Sequence, residues 1–106
     1  MKIGAVGLGN RIAHVYHELT KINQDADLIA YVDPLPIGRY YAEKNNFFPT
    51  KEYSTLNDML SNEKLDLLMI GSPNHLHLEH IKIGLNAGIK IFAENFFITF
   101  FIERFK

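Results

Sequence analysis

The chain has 106 residues, of which 47% are hydrophobic and 22% are charged, so it is long and apolar enough to form one globular domain with its own core. Its formal net charge of −1 argues against a nucleic-acid partner, and the absence of cysteine excludes disulfides, cysteine-ligated zinc and thiol nucleophiles. The N-terminus lacks the apolar core of a signal peptide, and no stretch reaches the ~18 apolar residues of a membrane span. We therefore expect a cytoplasmic protein without a membrane contact.

Strand-like and helix-like segments alternate from the N-terminus to residue 94. In chain order they are a strand at 2–6, a helix at 10–22, a strand at 28–32, a helix from Pro36 to about 46, a strand at 51–53, a short helix after Thr55, a strand at 65–70, a helix from Asn74 to Ala87 and a strand at 89–93. Such alternation predicts an α/β fold, a Rossmann-like open parallel sheet of about five strands with helices on both faces.

Local signals support several of these elements. The apolar face of the first helix comprises Ile12, Val15, Tyr16 and Leu19. Thr55 precedes Asp58 at the spacing of a helix cap, and the nearly all-apolar run 65–70 is typical of a central strand that is covered on both faces. Asn74 is predicted to cap the last helix, and Gly88 to end it by adopting the left-handed conformation.

A glycine-containing segment lies between the first strand and the first helix, where parallel-sheet proteins bind phosphate groups. It consists of Gly7, Leu8, Gly9, Asn10, Arg11 and Ile12. Gly7 permits a tight turn, and Gly9 lets a pyrophosphate approach the backbone N–H groups at the helix start. Ile12 occupies the place of the third glycine of this pattern, so the helix-to-strand packing must accommodate a larger side chain. A strand-to-helix turn without a ligand remains the alternative.

Asp33 ends the second strand, 26 residues after Gly7. An acidic side chain at this place can accept hydrogen bonds from the ribose hydroxyls of adenosine, which predicts a dinucleotide cofactor. The anionic side chain would repel a ribose 2′-phosphate, so we expect NAD rather than NADP. Two alternatives remain open: Arg39 can turn back towards such a phosphate, and Asp33 can instead bond its own backbone in a turn.

Two later segments, 70–77 (IGSPNHLH) and 86–94 (NAGIKIFAE), complete a family pattern. Together with the glycine segment and Asp33, they resemble the N-terminal domain of the glucose-fructose oxidoreductase, inositol dehydrogenase and MocA family over residues 1–94. The resemblance implies an NAD(P)-dependent oxidoreductase that acts on sugars, inositols and related polyols. It also implies that a larger α/β substrate domain follows the Rossmann domain, and we expect that domain to be absent from this chain.

By the same resemblance, Ser72, Pro73, Asn74 and His77 match the family motif Thr/Ser-Pro-Asn-x-x-His after the fourth strand. The resemblance implies that Ser72 to Asn74 line the cofactor cleft, and we expect His77 to point towards it from the first helical turn. The alternative is that Asn74 only caps the helix and His77 is a surface residue. Glu94 matches the first residue of a later family motif, Glu-Lys-Pro. The predicted cofactor-binding residues are therefore Gly7, Leu8, Gly9, Asn10, Arg11, Ile12, Asp33, Ser72, Pro73, Asn74, His77 and Glu94.

A metal site is not expected, although His75, His77 and His80 lie close together in the sequence. No cysteine or suitably placed carboxylate completes a tetrahedral set with them. His14 and His17 on the first helix are expected to be surface residues.

The family pattern breaks after Glu94, where the family continues with Lys-Pro and this chain with Asn95-Phe96. The family's lysine reaches the nicotinamide and the substrate, whereas asparagine supplies neither a positive charge nor an acid or base. We therefore assign no catalytic residue and expect no dehydrogenase activity from this chain alone.

Residues 95–106 form an apolar tail that contains five of the eight phenylalanines. It is explained either by a frameshift or premature end in a longer gene, or by a natural short protein whose tail packs on its own sheet. An exposed apolar tail would be an association site, so we expect the chain to self-associate through it. The sequence does not decide whether the tail is a helix or a strand. The functions left open are the NAD(P)-binding domain of a truncated oxidoreductase, a stand-alone nucleotide-binding or regulatory module, and a folded remnant whose cleft is blocked by the tail.

Overall fold

The computed structural model describes residues 1–33, 51–94 and 99–102. The elements in chain order are β1 (Lys2–Val6), α1 (Asn10–Ile22), β2 (Asp27–Val32), β3 (Lys51–Tyr53), α2 (Leu56–Asn62), β4 (Leu67–Ile70), α3 (Asn74–Asn86), β5 (Lys90–Glu94) and β6 (Thr99–Ile102). The predicted helix from Pro36, and Arg39 within it, lie outside the described residues. No helix of the described ranges is both long and apolar enough to span a bilayer.

The strands form one sheet in the order β3-β2-β1-β4-β5-β6. The first five are parallel, which confirms the predicted Rossmann-like sheet. The sixth strand pairs antiparallel with β5, with Thr99 opposite Glu94 and Ile102 opposite Ile91. Residues 99–102 of the tail are therefore a strand, which the sequence did not decide, and they lie at the sheet edge, separated from β1 by β4 and β5.

Helices cover both faces of this sheet and enclose two apolar cores. In one core α1 packs against β1, β2 and β4, and this core includes Ile3, Ile12 and Met69. The opposite core places α2 and α3 against the sheet, and it includes Met59 and Leu68. Because successive residues of β4 enter opposite cores, all four of its residues are buried, as predicted for a central strand.

The ends of α3 differ in how well the sequence predicted them. Asn74 is the first helical residue rather than the cap, so that prediction is wrong by one position. Pro73 takes the N-cap place because its extended backbone (φ −54°, ψ 150°) directs its carbonyl to accept a hydrogen bond from Leu76 N–H at 2.9 Å. At the other end Gly88 has a φ of +75°, which confirms the predicted left-handed stop.

The short helix α2 begins as its sequence predicts. Thr55 Oγ1 accepts a hydrogen bond from the backbone N–H of Asp58 at 3.1 Å, which satisfies one of the free N–H groups of the first turn. The helix then buries Leu56 and Met59 in the core that it shares with α3. A single cap thus helps to hold a helix of two turns against the sheet.

We predict that Thr55→Ala lowers the free energy of unfolding by about 1 kcal/mol, because it removes this cap. Urea denaturation followed by circular dichroism measures the change. Thr55→Ser keeps the hydroxyl and serves as the control, which should stay within about 0.5 kcal/mol of wild type. Equal stability of all three proteins would show that the cap contributes nothing.

Candidate functional site

The structure brings the predicted site residues to one edge of the sheet. Parallel strands end at the same edge, and there the glycine segment follows β1, Asp33 follows β2, Ser72 follows β4, and Glu94 ends β5. From β1 the chain continues to β2 on one side of β1, whereas β4 pairs with β1 on its other side. In open α/β sheets, the crevice at such a change of direction is where ligands bind.

Gly7 is held tightly between two neighbouring strand ends. Its N–H donates to Val32 O at 2.7 Å, and its φ of +81° lies in the left-handed region. A Cβ at this position would lie 2.5 Å from the backbone nitrogen of Ser72 and 2.7 Å from its Cα. Both the conformation and the contact therefore require glycine here, whether or not a ligand binds.

Gly9 has neither of these requirements. Its backbone is in the ordinary extended region (φ −70°, ψ 171°), and a Cβ there would meet no described atom within 4 Å. The open space lies at the N-terminus of the 13-residue helix α1, whose first turn carries no acidic residue. Free N–H groups and the helix dipole favour an anion at this place, so the segment fits the close approach of a phosphate group.

Leu8 and Ile12 direct their side chains away from this space, since both are buried in the core under α1. Within the segment they can therefore contact a ligand only through the backbone. The larger side chain of Ile12, at the place of a third glycine, is accommodated by Gly71, where any Cβ would collide with Ile12 Cγ1. This role of Gly71 was not predicted from the sequence, although a glycine directly after an apolar strand is a visible signal.

The residues after β4 are more buried than the sequence suggested. Ser72 is 3% exposed and its Oγ lies 2.7 Å from His80 Nδ1. His77 is 7% exposed, with its Nδ1 3.4 Å from Pro73 O, so the alternative of a surface histidine is wrong. Asp33 is half-buried, and for Asn74 only the backbone is described.

Burial lowers the pKa of His80 below its ordinary value of 6.5. The carboxylate of Glu79 opposes this shift, and His77 adds to it. His80 is therefore neutral at pH 7, where its Nδ1 can accept the hydroxyl proton of Ser72. This contact was not predicted from the sequence, in which His80 stood out only as a possible metal ligand.

The other histidines are placed as follows. His14 and His17 are exposed on α1, which confirms their prediction as surface residues, and His75 is exposed on α3. Among the residues that the structure describes, no three His, Asp or Glu side chains come together as a metal site.

Residues 1–95 match the GFO/IDH/MocA family, described as an oxidoreductase family with an NAD-binding Rossmann fold. The chain belongs to this family. The match includes every residue of the site at the sheet edge. The family binds NAD, which is the dinucleotide that the glycine segment and Asp33 predict.

Individual members of the family resemble the chain at low identity. The 1-carboxy-3-chloro-3,4-dihydroxycyclohexa-1,5-diene dehydrogenase of Comamonas testosteroni is 28% identical over 97 residues, which cover 89% of this chain and 23% of that protein. The apo scyllo-inositol dehydrogenase of Lactobacillus casei is 31% identical with a TM-score of 0.69, and the myo-inositol 2-dehydrogenase of Lactobacillus plantarum is 25% identical with a TM-score of 0.73. In both, 90% of this chain covers 28% of theirs. The Lactobacillus casei enzyme has also been solved with NAD(H) and scyllo-inositol. The chain thus spans about a quarter of the length of these oxidoreductases.

We predict that Gly7→Ala lowers the free energy of unfolding by about 2 kcal/mol or more, because it combines a left-handed backbone with a collision against the backbone of Ser72. Gly9→Ala is the matched control, with the same added methyl group two residues away. Because Gly9 is the N-cap of α1, where alanine is a poorer cap than glycine, we expect a loss of at most about 1 kcal/mol, clearly smaller than that of Gly7→Ala. Thermal and urea unfolding measure both. A Gly9→Ala protein as unstable as Gly7→Ala would contradict the open space at Gly9.

Proposed function

We propose that this chain is the cofactor-binding part of an oxidoreductase and that it holds NAD(H) at the carboxyl edge of its sheet without turning it over. One observation carries the proposal: glycine at position 9 is required neither by the backbone nor by the packing of the described residues, and it borders open space at a helix N-terminus. A nucleotide phosphate against this backbone gives the glycine a reason.

Each group of site residues has a distinct part in this proposal. The backbone of Gly7 to Ile12 would receive the pyrophosphate, and Asp33 would accept hydrogen bonds from the adenosine ribose. Ser72, Pro73, Asn74 and His77, together with Glu94, would border the remainder of the cofactor on the β4 and β5 side of the crevice. These roles rest on the resemblance and on the placement of the residues at one edge.

Catalysis needs more than this edge. NAD(H) supplies hydride transfer when it is bound, but a substrate pocket and a proton acceptor must be held beside it. The chain spans about a quarter of its relatives, and Asn95, which lies outside the described residues, stands where the family has lysine. We therefore propose binding without turnover for the chain as it stands.

The substrate class is proposed from the relatives. The three named dehydrogenases share, by name, a hydroxylated six-membered carbon ring. We propose that the full-length enzyme of this type oxidises a secondary alcohol of a sugar or cyclic polyol. The cytoplasmic location expected from the sequence stays a prediction.

A stand-alone nucleotide-binding or regulatory module is the second candidate. The pairing of β6 with β5 favours it, because residues 99–102 extend the sheet as a regular strand. The third reading, a cleft blocked by the tail, has no support from these four residues, since they lie beyond β5 and away from β1.

The deciding experiment is a titration of the purified chain with NADH and NADPH, followed by nicotinamide fluorescence and by heat of binding. We expect saturable NADH binding. Asp33→Ala should weaken it about 10-fold, because the ribose hydroxyls lose hydrogen bonds to a charged acceptor, and it should weaken NADPH binding less. Asp27→Ala is the matched control, because it removes the same charge from the opposite end of β2, and it should leave both affinities unchanged.

Gly9→Ala provides a second, independent variant in the same titration. Its fold should be intact, but its methyl group would occupy the space against which the phosphate lies, so NADH affinity should fall by about 10-fold or more. Wild-type protein that binds neither cofactor would refute the proposed function. Binding with equal affinity by Gly9→Ala would place the cofactor elsewhere.

We also propose that the chain associates with a second copy of itself through the edge strand β6. Within the described sheet β6 pairs only with β5, and residues 95–102 carry no charge that would discourage a further strand. Sedimentation velocity should show a concentration-dependent dimer, and Phe101→Pro, which removes a backbone donor from β6, should weaken it. A strictly monomeric wild type at high concentration would contradict this proposal.

A further inference from the structure

The cleft contains one buried polar contact that the cofactor roles above do not use. His80, on the second turn of α3, is half-buried, and its Nδ1 lies 2.7 Å from Oγ of Ser72. Ser72 belongs to the turn between β4 and α3 and is almost fully buried. A buried hydroxyl requires a hydrogen-bond partner, and His80 provides one from a different element of the fold.

Ser72 is also the residue against which the glycine segment packs. Its backbone nitrogen and Cα leave no room for a side chain at Gly7, and Gly7 in turn donates its N–H to Val32 O at the end of β2. A series of direct contacts therefore connects His80 with Ser72, Ser72 with Gly7, and Gly7 with β2. The position of the glycine segment depends on where the β4–α3 turn lies.

We propose that His80 is a positioning residue of the dinucleotide cleft, which holds the Ser72 hydroxyl and thereby fixes the turn that supports the glycine segment. This inference rests on the proposed function for its effect on cofactor affinity, but the mechanical connection is a property of the chain itself. His80 acts through Ser72 and does not need to touch the cofactor.

The protonation of His80 offers a way to perturb this contact. Burial lowers its pKa, and the two groups whose charges act on the ring are Glu79 and His77, both on α3. Within the described part of the chain, the charged side chains of α2, β4 and β5, which pack against α3, contribute nothing to this shift. The neutral Nδ1 can accept a proton from Ser72, whereas the protonated ring can only donate. Acidification through the lowered pKa of His80 therefore reverses or breaks the contact.

The first test is an NMR titration of the ¹⁵N-labelled full chain between pH 5 and pH 8. We expect the backbone amide of Gly7 to shift with the same midpoint as the His80 ring. The shift should disappear in Ser72→Ala and in His80→Asn. His75→Asn, which removes an exposed histidine from the same helix, is the matched control and should leave the Gly7 profile unchanged. A Gly7 amide that ignores the titration of His80 would overturn the proposal.

The second test is a double-mutant cycle on NADH affinity at pH 7.5. His80→Leu and Ser72→Ala should each weaken binding about 5-fold, the effect of one lost hydrogen bond, and the double variant should be no weaker than either. His80→Asn, whose amide can replace Nδ1, should retain affinity within about 2-fold at pH 7.5. The affinity of wild type should fall as His80 becomes protonated at acid pH, and this fall should be absent in His80→Asn. Additive losses would mean that His80 acts by another route.

The two tests separate this inference from the proposed function. If wild type does not bind NADH but the Gly7 amide follows His80, the proposed function fails and the positioning role stands. If NADH binds while the Gly7 amide is unresponsive and the cycle is additive, the positioning role fails and the proposed function stands. Thermal unfolding of each variant shows whether it is folded, and should His80→Leu not fold, the pair Ser72→Ala and His80→Asn still decides the outcome.

Discussion

The backbones of Gly7 and Ser72 lie against each other without space for a side chain, and this contact joins the ends of β1 and β4. Hydrogen bonds from Gly7 N–H to Val32 O and from Gly71 N–H to Val6 O extend the connection across three adjacent strands. The shape of the glycine segment is therefore set by the protein before any ligand arrives. A cofactor that binds such a segment does not need to order it, and this saves the conformational entropy that a mobile loop would lose.

The three glycines near the cleft have different reasons to be there. Gly7 is required by backbone conformation and packing, and Gly71 by the side chain of Ile12 that faces it. Only Gly9 is free of both constraints. In the usual pattern the close approach of helix and strand comes from a glycine on the helix, whereas here it comes from a glycine at the end of β4. The room for the Ile12 side chain is thus provided by Gly71 and not by the helix.

Much of the fold was predictable because its signals are local. The threonine cap of α2, the stop at Gly88 and the apolar run of β4 each depend on residues close together in the sequence. The start of α3 was misjudged because an asparagine is a common cap, but the fixed backbone of Pro73 took that place. The contact between Ser72 and His80 was not predictable, since spacing within a helix suggests partners three or four residues apart, and this pair joins a strand end to a helix. The strand β6 was likewise undecided, because apolar runs of this length suit either state.

The position of β1 in the middle of the sheet has a consequence for how the chain is made. One neighbour of β1 is β2, which follows it closely in the chain, but its other neighbour is β4, where Leu67 lies opposite Ile3. At a synthesis rate of about 5–20 residues per second, the intervening chain takes roughly 3–13 s to appear, and two parallel strands alone are only marginally stable. For those seconds β1, whose residues Ile3 to Val6 are all buried in the folded chain, has an unpaired edge. Until residue 70 allows the sheet to close around β1, this edge is open to pairing with a strand of another chain.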